Sequence, residues 1–168
     1  YNHCWGWASW RRCWQNYDAD LSQWPALRDS GLLDTIFEDP LERHYWSGIW
    51  QRLLDTGEPD SWAYRWTFTC LANSGLTALP NRNLVSNVGF GEDATHTTGS
   101  PLQTDIKHQG IQPDILPRFL IRDAEADQYT FNTVFGGIAL RRSRTILGRL
   151  ATKASSAKRY AAKLILSA

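Results

Sequence analysis

Three short stretches carry the residue types that could do chemistry. The first is His3-Cys4-Trp5-Gly6-Trp7-Ala8-Ser9-Trp10-Arg11-Arg12. Glycine between two indoles lets the backbone approach a ligand closely, and flat aromatic faces stack on the C–H face of a sugar ring. Space-filling in a core is the competing reading of every tryptophan. It is weaker for Trp5 and Trp7, which precede the helical pattern that follows and are not claimed by its periodicity. The second stretch, Asp60-Ser61-Trp62-Ala63-Tyr64-Arg65-Trp66, sets a carboxylate at a helix start beside aromatic residues. Such a carboxylate is either a general base that draws the proton from an acceptor hydroxyl or an ordinary N-cap. The third stretch, Asn83 to Thr97, joins an apolar, β-branched run to a loop with acids, hydroxyls and one imidazole. His96 in that loop is a candidate ligand for a divalent metal or donor to a diphosphate, against the plainer reading of a solvated histidine. No Walker-type loop, GxSxG elbow, HExxH pair or nucleic-acid signature is present.

Several elements must position these residues. Ser9 followed by Trp10, Cys13, Trp14 and Tyr17 predicts a short helix over 9–17 with those four side chains on its buried face. Asp39-Pro40-Leu41-Glu42 combines a capping acid, a proline where its missing N–H costs nothing, and a glutamate three residues after the cap. It opens a second helix whose inner face is Tyr45, Trp46, Ile49, Trp50, Leu53 and Leu54, ending at Gly57. Asp60 starts a third helix with Trp62 and Trp66 on one side and Gly75 at its end. Leu76 to Pro80 and Leu84 to Val88 read as short strands separated by a Pro80-Asn81 turn. From Gly89 to Pro117 the composition is that of a loop, and Asp123 to Phe135 suits a short helix.

The totals bound the rest. The chain has 168 residues, 42% of them hydrophobic, in the range of one globular domain with a core of its own. It begins at Tyr1 and contains no methionine, which reads as a piece of a longer protein, with an excised or processed domain as the alternative. Cys4, Cys13 and Cys70 form no CxxC pair and read as reduced, packed thiols. No apolar run reaches the ~18–20 residues that cross a bilayer and no signal pattern opens the chain, so the expectation is a cytoplasmic protein, soluble or associated with a membrane surface. Residues 141–168 hold eight of the 18 basic residues and none of the 17 acidic ones, so a body of −7 precedes a tail of +8. That asymmetry argues against a uniformly basic nucleic-acid binder. For the tail the two readings are a basic interfacial helix on anionic membrane and a plain solvated extension. All nine tryptophans lie within the first 66 residues, so that half is built around indole surfaces.

Taken together, His3 to Trp14, Asp60 to Trp66 and Asn81 to Thr97 resemble the segments HxWGWATWRRAW, DTWDYQW and NxNLVSNIGFGxDATHT of a family of bacterial nucleotide-diphospho-sugar transferases with the GT-A fold, also called haemolysin-like. Phe119 to Asp123 followed by Glu125-Ala126-Asp127 is similar to the family's closing segment, and the likeness spans most of residues 1–135. The resemblance implies an α/β fold: the C-terminal, acceptor-side part of a GT-A domain over 1–135, with helices on a few short strands and a separate basic helical tail over 136–168. It also implies that a sugar moves from a nucleoside-diphosphate donor to a hydroxyl of a glycan or lipid-linked acceptor, with Mn²⁺ or Mg²⁺ against the diphosphate. The nucleotide-binding half and its Asp-x-Asp motif would precede Tyr1. Residue by residue, it implies Asp60 as base, since Ala63 stands where the family has a second acid. Trp5, Trp7, Trp62 and Arg65 would hold the acceptor, Asn87, Gly89 and Gly91 the donor diphosphate, and His96 the metal. The alternative function is a non-catalytic carbohydrate-binding or partner-binding module with a Trp-rich surface.

Overall fold

A computed structural model of the chain describes residues 1–86, 109–112 and 116–145. Seven helices occupy them: α1 (Arg11–Trp14), α2 (Trp24–Asp29), α3 (Leu33–Ile36), α4 (Pro40–Thr56), α5 (Trp62–Ala72), α6 (Ala124–Thr133) and α7 (Gly137–Arg144). Among the described residues there is no strand, so the α/β GT-A architecture expected from the sequence is overturned. The reason is visible at the expected strands. A strand needs a neighbouring ladder, and its propensity is largely a property of packing on a half-buried sheet. Leu76, Leu79 and Leu84 are instead exposed. The Asn83 side chain also takes both polar groups of the Val85 backbone: Nδ2 donates to the Val85 carbonyl at 2.9 Å and Oδ1 accepts from its amide at 3.3 Å. A local amide thus replaces the ladder.

The chain divides into two compact units, one of residues 1–22 and 61–122, the other of 23–60 and 123–168. In the second unit, α4 is the central element. Asp39 caps it, accepting from the Leu41 amide at 2.8 Å. Gly57, at φ +75, closes it in the left-handed conformation that glycine adopts without a Cβ penalty. Trp46 and Trp50 stack at 5.5 Å, and Trp50 also meets Trp24 at 5.3 Å and Phe37 at 6.2 Å. Those four side chains are fully buried or nearly so. The indole N–H of Trp24 donates to Gln51 Oε1 at 3.1 Å, so the buried ring leaves no polar atom unpaired. Helices α2 and α3, which local signals did not announce, cover this core with Trp24 and Leu33.

Arg141 fastens α7 in the second unit. Its guanidinium pairs with the Asp39 carboxylate, donates to the Asn132 side chain and lies 5.7 Å over the Phe131 ring. Asp39 therefore serves two elements at once, capping α4 through Oδ1 and holding α7 through Oδ2. Asp39→Ala is expected to lower stability by about 2 kcal/mol in urea unfolding, from loss of a cap and of a charge-assisted bond. Asp34→Ala, which breaks a surface pair with Arg43, should change it by less than about 0.5 kcal/mol. Equal effects would contradict the double role. Among the described residues no helix is long and apolar enough to cross a membrane. The tail beyond Thr145, with its expected membrane contact, lies outside the described residues.

In the first unit, α5 is the scaffold. Its cap is Ser61, whose Oγ accepts from the Ala63 amide at 3.3 Å, one residue later than the expected Asp60. Thr69 ties the N-terminal segment to this helix, its hydroxyl accepting from the Asp18 amide at 3.2 Å while donating to the Arg65 carbonyl at 3.0 Å. The helix expected over 9–17 is a single turn, Arg11–Trp14. Ser9 does not cap it; its hydroxyl donates to the Trp10 carbonyl at 3.3 Å, and Trp10 is 70% exposed rather than buried.

Candidate functional site

The first unit gathers aromatic rings from segments far apart in the chain. Trp7 is the hub: its ring lies 5.0 Å from Trp62 in a stacked arrangement, 5.6 Å from Trp66 and 5.8 Å from Trp14. Trp14 is itself stacked on Tyr17 at 4.6 Å and 7°. Helix α5 supplies Trp62 and Trp66 at i and i+4, and α1 supplies Trp14. Trp66 closes the floor at 6% exposure, whereas Trp14 and Trp62 remain 43% and 40% exposed. Core filling therefore accounts for Trp24, Trp46, Trp50 and Trp66, but not for Trp5, Trp10, Trp14 and Trp62, which keep large accessible faces.

Gly6, next to Trp7, brings the third stretch against the N-terminal segment. Its φ is +64, and a Cβ built there would lie 2.4 Å from Val85 Cγ2. The close approach that a glycine between indoles foretold is thus to a side chain of the Asn83 to Ser86 segment, not to an open ligand face. Gly6→Ala faces both a left-handed backbone and this clash, and is expected to cost about 2–3 kcal/mol. Adding Val85→Ala should relieve only the clash. Urea unfolding of both single variants and the pair checks this, and strict additivity would argue against the contact.

Of the residues expected in a site, Trp7 and Trp62 are brought together. Trp5 is exposed by 51%. Arg65 is half-buried on the same side of α5 as Trp62, Trp66 and Thr69. Asp60 is exposed at the end of the second unit, its amide donating to the Glu58 carboxylate at 3.1 Å. Asn87, Gly89, Gly91 and His96 lie outside the described residues. Trp14 and Tyr17 join the cluster although their spacing had marked them as helix core. The signal that could have found them is their aromatic type next to Trp7.

Burial pushes the Tyr17 hydroxyl above the usual phenol value, and the Arg65 charge opposes that rise. Cys70, also in this unit, is pushed up to about 11, first by burial and then by the neighbouring Cys13, with the chain's N-terminal ammonium opposing. The folded state holds this proton more tightly than an unfolded thiol of pKa 9.0 does, so the contribution to stability is complete below 9 and is lost as pH rises towards about 11. At pH 8, Cys70 should resist alkylation in the native protein while exposed Cys4 reacts, as read by mass spectrometry. Rapid modification of Cys70 under native conditions would contradict the half-buried, protonated thiol.

Among the described residues no three His, Cys, Asp or Glu side chains converge to hold a metal ion. Comparison of the chain with protein-family profiles, curated proteins and solved structures gives no match.

Proposed function

We propose that the first unit binds a saccharide on the accessible rings of Trp14 and Trp62 around the Trp7 hub, as the acceptor side of sugar transfer from a nucleoside-diphosphate donor. One observation carries the saccharide part: segments 1–22 and 61–72 converge on a single aromatic cluster in which Trp14 and Trp62 stay partly exposed. Apolar rings held rigid by their neighbours present a flat surface at little entropic cost, which suits the C–H face of a pyranose. The transfer part rests on the sequence resemblance.

Binding of a neutral oligosaccharide, followed by calorimetry, tests the reading. Trp62→Ala should weaken it about tenfold or more, as removal of a central aromatic anchor does. Trp10→Ala should leave it unchanged, since that exposed ring carries Arg12 and none of the cluster contacts involve it. Equal losses in both variants, or no binding by the parent chain, would reject the site.

The exposed indoles alone serve equally a second reading, a non-catalytic carbohydrate-binding module, which needs no nucleotide or metal. Under it, oligosaccharide raises the melting temperature but nucleoside diphosphate with Mn²⁺ never does. A shift with the nucleotide and metal supports the transferase.

A further inference from the structure

Arg65 is the cation on the ring-bearing side of α5. It follows Trp62 by three residues and precedes Thr69 by four, so at about 100° per residue Trp62, Arg65, Trp66 and Thr69 leave the helix within one arc. Its charge opposes the burial that raises the Tyr17 hydroxyl, Tyr17 being the ring stacked on Trp14. The side chain is half-buried on the ring-bearing side of the helix.

Among the described residues, Arg65 pairs with no anion. Its described hydrogen bond is a long one, 3.5 Å from Nη1 to the Ser61 carbonyl at the head of its own helix. Other arginines form ion pairs elsewhere, Arg28 with Asp29, Arg43 with Asp34 and Arg141 with Asp39 among them. Asp18, joined to this helix through Thr69, turns Oδ1 to the amide and hydroxyl of Ser22 at 2.9 and 3.1 Å. A guanidinium carries five N–H donors in a planar fork that fits a carboxylate or phosphate with two parallel bonds. Half-buried beside indoles and unpaired among the described residues, it is a receptor without its counter-charge, and such a group gains most from an incoming anion.

Resting on the saccharide reading above, we propose that the ligand of this site is an acidic saccharide, its ring on Trp14 and Trp62 and its carboxylate or phosphate on Arg65. Arg65 then sets specificity, and the indoles supply the sequence-independent hold on the ring.

Calorimetric titration with three probes, a neutral oligosaccharide, its uronic-acid counterpart and a hexose phosphate, tests this on the full chain. The parent protein should bind at least one acidic probe about tenfold more tightly than the neutral one, with the preference shrinking from 50 to 300 mM salt. The stronger acidic probe identifies carboxylate or phosphate as the natural group. Arg65→Ala, and Arg65→Gln as the variant that keeps more of the packed stem, should erase the preference for the acidic probe. Equal affinity for neutral and acidic probes in the parent, or a preference that survives both variants, overturns the Arg65 assignment and leaves the saccharide reading standing. Absence of binding to all three overturns both.

Discussion

Trp50→Ala is expected to lower the free energy of unfolding by about 3–5 kcal/mol, the largest effect of any single change considered. The side chain is fully buried at the middle of α4 and is the ring that Trp24, Trp46 and Phe37 share. Truncation removes its transfer free energy from water and leaves a void among the three large buried rings that pack on it. Against a total stability of about 5–15 kcal/mol for a typical domain, that loss is a large fraction. Trp14→Ala, at a ring 43% exposed, should cost much less. Chemical unfolding monitored by circular dichroism measures both, and a loss below about 1 kcal/mol for Trp50→Ala would mean that α4 is not the centre of its unit.

Trp7→Ala is the second large effect, expected at about 2–3 kcal/mol together with loss of saccharide affinity. The ring is half-buried and touches Trp14, Trp62 and Trp66, so it sets the tilt of both accessible faces. Removing it frees those rings to turn, and a platform that must be ordered on binding gives up affinity to that ordering. Trp7→Phe, which keeps a ring at the hub, should retain most of both properties. If Trp7→Ala folds with unchanged stability and binds normally, the cluster is not a preorganised unit.

Legibility in the sequence followed the range of the forces involved. The ends of α4 were readable because Asp39, Pro40 and Gly57 act on backbone groups within a few residues. Helix α6 was readable for the same reason, its Asp123 side chain accepting from the Ala126 amide at 3.0 Å. The start of α5 was displaced by one residue because Asp60 and Ser61 are both competent caps and only Ser61 aims its oxygen at the helix. Helices α2 and α3 were not readable: six and four residues long, they are stabilised by burying Trp24 and Leu33 rather than by propensity. The expected strands failed because an apolar run does not reveal whether a partner strand exists, and at Val85 the Asn83 side chain occupies that role. At the site, Trp7 and Trp62 could be named from type and neighbourhood. Trp14 could not, since helical spacing alone assigned it to a buried face that a single-turn helix never forms.

The indole N–H resonances of the nine tryptophans, followed by heteronuclear NMR during titration with a saccharide, report on the binding face ring by ring. Saturable shifts confined to Trp7, Trp14, Trp62 and their immediate neighbours, with Trp24, Trp46 and Trp50 unmoved, are the predicted result. Shifts centred on those three buried rings, or no shift of any indole at saturating sugar, would contradict a saccharide-binding aromatic cluster.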